Sequence, residues 1–292
     1  MVNSCLADSP RKLAWQLLQT LEPEFSEDCA DYGREFYRYR FVLSHLLPLL
    51  PKSGTVLDLG AGPGVVSLSL QLAGARVTVA DKWEHYCGAD VYAADAARPR
   101  SGTRLHMSRR FEKHGLDMLD VDLLHDPLPF QDNTFDMVML LAVIEHLPKS
   151  PKRILEEVRR VLKPGGVLAL EVPNIAALRN RIGLLFGHSV HLSLKDWYYS
   201  DPYGGHIREP TCAEVEQYIK YLNMELITLR TSNTSFLNTK HNDGYYERGF
   251  RLNSVFQLTK AAYLLLCAPF PGFRFQILAL ARKPAHASTS VP

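Results

Sequence analysis

The chain has no surplus of either charge. Across 292 residues, 33 Lys and Arg stand against 31 Asp and Glu, a formal net charge of +2. So close a balance gives no electrostatic argument for a nucleic-acid or acidic partner, and basic residues cluster only in pairs such as Arg109-Arg110 and Arg159-Arg160. Cysteine is scarce too: Cys5, Cys29, Cys87, Cys212 and Cys267 are scattered, odd in number and without a C-x-x-C pair. That pattern argues against a disulfide framework or a zinc ribbon and for reduced thiols in the cytoplasm. Asp8 falls where a secretory leader would need an unbroken apolar run, so no leader is expected. Nor is there a run of the ~20 apolar residues that a membrane span needs. Ala261 to Phe270 comes nearest and is closed by Pro269 and Pro271. It is expected to be a core helix, with shallow contact at a lipid interface as the alternative. Internal repeats and low-complexity linkers are absent, as is any Ser/His/Asp or Cys/His arrangement for nucleophilic catalysis.

What the chain does have is 46% hydrophobic and 22% charged residues, an ordinary globular composition, and one dense glycine stretch. Val56, Leu57 and Leu59 form a short apolar run interrupted by Asp58 and followed by Gly60, Ala61, Gly62 and Gly64. This predicts a buried parallel strand, a tight turn and a helix opening near Val65. A dinucleotide fingerprint would need glycine at the last position of G-x-G-x-x-G, and Val65 stands there. Asp58 is also badly placed for a pyrophosphate and better suited to a cationic group. About 20 residues later, the alternating segment Ala75 to Asp81 ends in an acid, the position of a bidentate ribose acceptor. Asp81 could equally serve as a helix N-cap.

The stretch from Thr55 to Val65 resembles the first motif of class I S-adenosylmethionine-dependent methyltransferases. Three later phrases are similar to that family as well: Asp122 to Asp136, with its Leu-Pro-Phe and Asp-Asn-Thr-Phe-Asp; Glu145-His146-Leu147; and the Leu-Lys-Pro-Gly-Gly turn at 162–166. The resemblance implies S-adenosyl-L-methionine as cofactor. It places Asp58, Gly60, Ala61, Gly62 and Gly64 around the methionine end, and Asp81 with Lys82 at the ribose. Asp122 and Leu123 fall at the adenine, and Leu140 and Leu141 close to the sulfonium. Asp117 and Asp120 compete with Asp122 for the adenine register, and all three could be acids of a solvated turn.

The chain in order predicts helices over 13–50, at Val65 to Ala73, at Leu105 to His114 and at Pro151 to Leu162. Strands are expected at Leu116 to Leu124, Phe135 to Leu141, Val167 to Pro173, Glu225 to Thr231 and Arg274 to Arg282. Thr211-x-x-Glu214 reads as a capping box opening a helix to about Leu222. The fold expected is α/β: a doubly wound Rossmann-like methyltransferase domain over 51–283, with an N-terminal helical cap over 1–50. An irregular insert at 174–210 follows strand five, a loop spans 232–253, and 284–292 is a disordered tail. The resemblance adds that the sheet has seven strands with the last antiparallel.

Methyl transfer is a direct displacement, so the protein aligns the partners and supplies a base where the acceptor holds a proton. His146 follows strand four and is a candidate base; it could instead open a helix and bond backbone or adenine. His206 and Arg208 lie in Gly-Gly-His-Ile-Arg, similar to methyltransferases of glycan synthesis, and could orient or deprotonate a sugar hydroxyl. The opposing reading has Arg208 pinning its loop to a core carboxylate. Some quinone-biosynthetic relatives hold a divalent cation with a second glutamate three residues before the Glu-His pair. Here Ala142 occupies that position, and no metal is expected. The function expected is O-methylation of a small-molecule or glycan hydroxyl. The alternatives are a non-catalytic nucleoside-binding protein and a nicotinamide-dependent oxidoreductase.

Overall fold

A computed structural model describes residues 9–25, 32–83, 104–191, 194–199, 205–233 and 255–285. Expectations for the loop beyond Asn233 and for the tail beyond 285 lie outside the described residues, as does the first glycine of the Gly-Gly-His-Ile-Arg phrase, Gly204.

Seven strands form one sheet in the order β3-β2-β1-β4-β5-β7-β6. They are β1 (Thr55–Leu59), β2 (Arg76–Asp81), β3 (Asp117–Asp120), β4 (Phe135–Leu141), β5 (Leu162–Pro173), β6 (Glu225–Ser232) and β7 (Gln276–Arg282). β1 lies between β2 and β4, both parallel to it. β7 runs antiparallel to β5 and β6, between them. The order reverses beside β1, and in an open α/β sheet such a reversal opens a crevice past the strands' carboxyl ends. Asp58, Asp81, Asp120 and Leu141 all lie at or near those ends.

Side chains on successive strand residues point to opposite faces, which divides the core in two. Val56, Met137, Met139, Val167 and Ala169 pack on one face beneath α1 (Pro10–Phe25), α2 (Tyr32–Leu46) and α3 (Val65–Leu72). Leu57, Leu59, Val138, Leu140, Leu168 and Leu170 pack on the other. That second face is covered by α5 (Lys152–Val161) and by α8 (Cys212–Tyr221), which sends in Val215 and Ile219. Each such aliphatic side chain contributes roughly 1.5–3 kcal/mol when fully buried. Asp58 and Glu171 share the faces of Val56 and Ala169, so two acids point toward the helical cap. Arg38 of α2 meets Glu171 through Nε at 3.0 Å and Nη2 at 2.6 Å, clasping cap to sheet.

Several expectations change. β3 is limited to Asp117–Asp120 because Val121 bends back, its N–H donating to Asp81 O, and Asp122 starts a turn. The glycine pair at 165–166 does not separate helix from strand. β5 begins at Leu162 and bulges there, with pairing to β4 slipping between Phe135 and Met137. Gly165 N–H donates to Lys283 O, and Lys283 N–H donates to Gly166 O, so the bulge is held by the chain after β7. The insert is not wholly irregular, since it contains α6 (Leu178–Leu185) and α7 (Leu194–Tyr199). α4 (Arg104–Lys113) and α9 (Val255–Cys267) complete the helices of the described residues. The expectation of a core helix at 261–270 fails: in that segment only Cys267 is buried, while Leu265, Leu266 and Phe270 are exposed. No helix among the described residues is long and apolar enough to cross a membrane.

Candidate active site

The turn after β1 is built on left-handed backbone. Gly60, Gly62 and Gly64 have φ of 72°, 53° and 78°, a region costly to residues bearing a Cβ. A Cβ at Gly60 would press on Val143, and one at Gly64 on the buried ring of Phe111. Two bonds tie the turn to β2: Gly60 N–H donates to Ala80 O at 2.8 Å, and Gly62 N–H donates to Asp81 Oδ2 at 3.1 Å. Asp81 Oδ1 accepts from Lys82 N–H at 2.8 Å.

Asp58 is 3% exposed and accepts from the Ser67 hydroxyl of α3. Burial pushes its carboxyl up to about 7; the Ser67 bond and the Arg38 charge oppose this, and the Asp81 charge adds to it. A buried acid near neutrality, at the mouth of a glycine turn, is matched to a positively charged partner. Asp122 is in the opposite state. Its slight burial favours protonation, but bonds from His125, Leu124 N–H and Lys82 outweigh that and hold it well below the usual carboxylate range. Asp120 accepts from Trp83 N–H at 3.4 Å, while the Trp83 ring is buried and donates to Leu119 O at 2.7 Å. Asp117 is exposed at the far end of β3. Leu140 is buried, and Ala61, Leu123 and Leu141 are half-buried beside the core.

At the end of β4 the chain reverses through Ala142, whose φ of 59° puts a Cβ-bearing residue in the left-handed region. The next three-residue turn, Ile144–His146, is 3-10, so His146 closes a turn rather than opening a helix. Glu145 is fully buried, and neither carboxylate oxygen has a hydrogen-bond partner. Burial pushes its acid up to about 7, against the charges of His206 and Arg38. Its backbone carbonyl accepts from Ile207 N–H at 2.7 Å and Arg208 N–H at 3.2 Å. Those bonds bring the 206–208 strap over the end of β4. The rings of His146 and His206 meet edge to face, their centroids 4.7 Å apart. His206 Nδ1 bonds Glu209 Oε1 at 2.6 Å.

Arg208 turns elsewhere. Its guanidinium donates to Glu214 Oε1 and to the Tyr218 hydroxyl, both on α8, and its side chain is 63% exposed. It does pin its loop, but to the capping helix instead of a core carboxylate. The predicted box is present: Glu214 N–H donates to Thr211 Oγ1, and Thr211 N–H donates to Glu214 Oε2.

These groups line the carboxyl ends of parallel strands beside the reversal in sheet order. The family described as a methyltransferase domain matches residues 32–229, more than half of the chain. The chain belongs to that methyltransferase-domain family.

Its relatives agree at that level. The protein named probable methyltransferase ltbC of Aspergillus luteorubrus is 32% identical over 129 residues, covering 42% of this chain and 41% of that protein. The ubiquinone biosynthesis O-methyltransferase of Dechloromonas aromatica is 29% identical over 119 residues, covering 41% of this chain and 44% of that one. The chain thus spans less than half the length of these curated relatives. A methyltransferase solved with the Haloferax volcanii Trm112 activator shares the fold, with a TM-score of 0.55 over 91% of this chain and 97% of that one, at 16% identity.

The structure places Asp58, the glycines, Asp81, Lys82 and Asp122 at or past the ends of β1 to β3, and brings His146 and His206 together past the end of β4. Arg208 is directed away from both groups. Sequence reading missed four partners. Glu145 was passed over as half of a phrase, although its place beside His146 was a signal. Glu209, three residues after His206, has the spacing of a carboxylate that orients an imidazole. Arg38 and Glu171 are 133 residues apart, and no local pattern links them.

Proposed function

We propose that this methyltransferase uses S-adenosyl-L-methionine to methylate a hydroxyl oxygen of a small molecule or glycan. The observation carrying this reading is Asp58: a buried acid near neutrality beside a left-handed glycine turn, with Asp81 following at the end of the neighbouring strand. That donor set fits the cofactor. Asp58 offers a counter-charge to an ammonium, Asp81 presents a carboxylate at the end of β2 to ribose hydroxyls, and Asp122 with Leu123 lies past the next strand end for the adenine. The bound cofactor supplies an electrophilic methyl group to an acceptor nucleophile. The protein's part is alignment and removal of the acceptor proton. His206 suits that second task. Its Nδ1 is engaged by Glu209, which fixes the tautomer with Nε2 as the proton-accepting atom. Glu145 lies alongside as a buried acid that stabilises an imidazolium. O-methylation is supported by the ubiquinone biosynthesis O-methyltransferase likeness and by this proton-accepting cluster.

The experiment is titration calorimetry with S-adenosyl-L-methionine and with NAD, followed by mass spectrometry of hydroxyl acceptors for one added methyl. Uptake of the sulfonium compound and not of NAD is expected. His206→Ala should lower kcat by about 10²–10⁴-fold with cofactor affinity intact. Asp58→Asn and Asp81→Asn should weaken the cofactor itself. Binding of NAD alone would end this reading.

A further inference from the structure

We propose that Glu145, His146 and His206 form a binding site for a divalent transition-metal ion, zinc foremost, with Glu209 orienting His206 from behind. One ligand atom from each of the three residues lies within 4.8 Å of the other two. Glu145 is the independent sign of a ligand: it is fully buried, and both of its oxygens lack a hydrogen-bond partner. An ionised carboxylate in that condition is costly unless a cation meets it. The nearby guanidinium does not, because Arg38 is engaged in a paired contact with Glu171.

His206 is already arranged as a ligand. Nδ1 is held by Glu209 at 2.6 Å, leaving Nε2 to carry the lone pair, in the carboxylate–imidazole pattern that supports metal sites. The strap bearing it is fastened to the Glu145 backbone by two hydrogen bonds, so the ligands are anchored to one another through main chain. The expectation of no metal rested on Ala142 in place of a second glutamate. His206, from a segment distant in sequence, fills the third ligand position instead. Two imidazoles and one carboxylate select a transition ion over magnesium or calcium, which favour all-oxygen sites. Three protein ligands also leave a position open, the arrangement of working rather than structural zinc. Ligands about 2.1 Å from zinc stand about 3.4 Å apart in a tetrahedron, so small side-chain rotations must draw this set inward on loading.

The site stands whether or not the chain transfers methyl groups. Its catalytic consequence rests on the reading above: a bound ion would occupy His206 Nε2 in place of the proton, and would instead lower the pKa of the acceptor hydroxyl so that its proton passes to solvent.

The test uses the full chain freed of metal by chelator and titrated with Zn²⁺ by calorimetry, then with Co²⁺ followed by visible absorption, with Mg²⁺ as a comparison. About one Zn²⁺ per chain at micromolar or tighter affinity is expected, with nitrogen-bound Co²⁺ bands and far weaker Mg²⁺ uptake. Glu145→Gln and His206→Ala should each weaken Zn²⁺ at least tenfold, and Glu209→Gln about tenfold. Thermal melts establish that each variant is folded; should His206→Ala not fold, Glu145→Gln and the wild-type cobalt spectrum decide. No Zn²⁺ uptake, or uptake unchanged in Glu145→Gln, overturns the site. Cofactor binding without zinc would leave the methyl-transfer reading intact, and zinc binding without cofactor would do the reverse.

Discussion

The two sides of β4 treat buried acids differently. Toward β1 and β2, each carboxylate is answered close by: Asp58 by Ser67, Asp81 by Gly62 and Lys82, Asp122 by Lys82, His125 and Leu124. Toward β5, Glu171 is answered by Arg38 of the distant cap, and among the described residues neither side-chain oxygen of Glu145 has a hydrogen-bond partner. The first side is made from neighbouring turns. The second is assembled from the cap, the sheet and the strap, and burial favours the neutral form of its central acid.

The largest test of this contrast is Glu171→Ala. It leaves the buried Arg38 guanidinium with only the looser Glu35 contact at 3.6 Å among the described residues and should cost about 3–5 kcal/mol in denaturant unfolding. A loss below about 1 kcal/mol would mean that Arg38 can swing across to Glu145, and the two acids would then be interchangeable.

Next is the pH response of Asp58, whose folded value of about 7 lies above its ordinary 3.8. Between those values the folded chain retains a proton that the unfolded chain has released. Stability therefore falls as pH rises through that window, by about 2–4 kcal/mol. Thermal melts from pH 4 to 8 should show the decline, and Asp58→Asn should make it shallower, Glu145, also raised to about 7, keeping the remainder. Affinity for S-adenosyl-L-methionine should run the other way, rising toward pH 7 as the carboxylate forms. An unaltered slope in the variant would shift the titration to another group.

Gly64→Ala follows, at about 2–3 kcal/mol, combining left-handed strain with intrusion on Phe111. Cofactor affinity should drop with it while Zn²⁺ uptake persists, since the turn supplies none of the three proposed ligands. Loss of both together would show that the two sides are not separate. Smallest is Thr211→Ala, which removes a helix cap worth about 1 kcal/mol. Because that cap follows the strap directly, the variant should weaken Zn²⁺ more than cofactor, as paired calorimetry can show.

The same contrast explains what could be read in advance. The glycine turn and its acids sit on contiguous motifs whose spacing is set by one strand and one turn, so their positions followed from local rules. The strand order after β5 was legible only through family likeness, and the β5 bulge was hidden because it depends on Lys283. The pairing of Glu145 with His206, and of Arg38 with Glu171, arises from chain crossings that no local period encodes. Arg208 was misjudged for a related reason: its neighbours on α8 are close in sequence, yet the helical turn that brings Glu214 and Tyr218 to it becomes visible only in three dimensions.

Glu145 has two separable attachments to its surroundings. The peptide oxygen keeps the strap moored, and the acid group alone faces the interior. Exchanging the side chain can therefore change what faces the interior while the mooring persists, so position 145 can be altered without dismantling the strap.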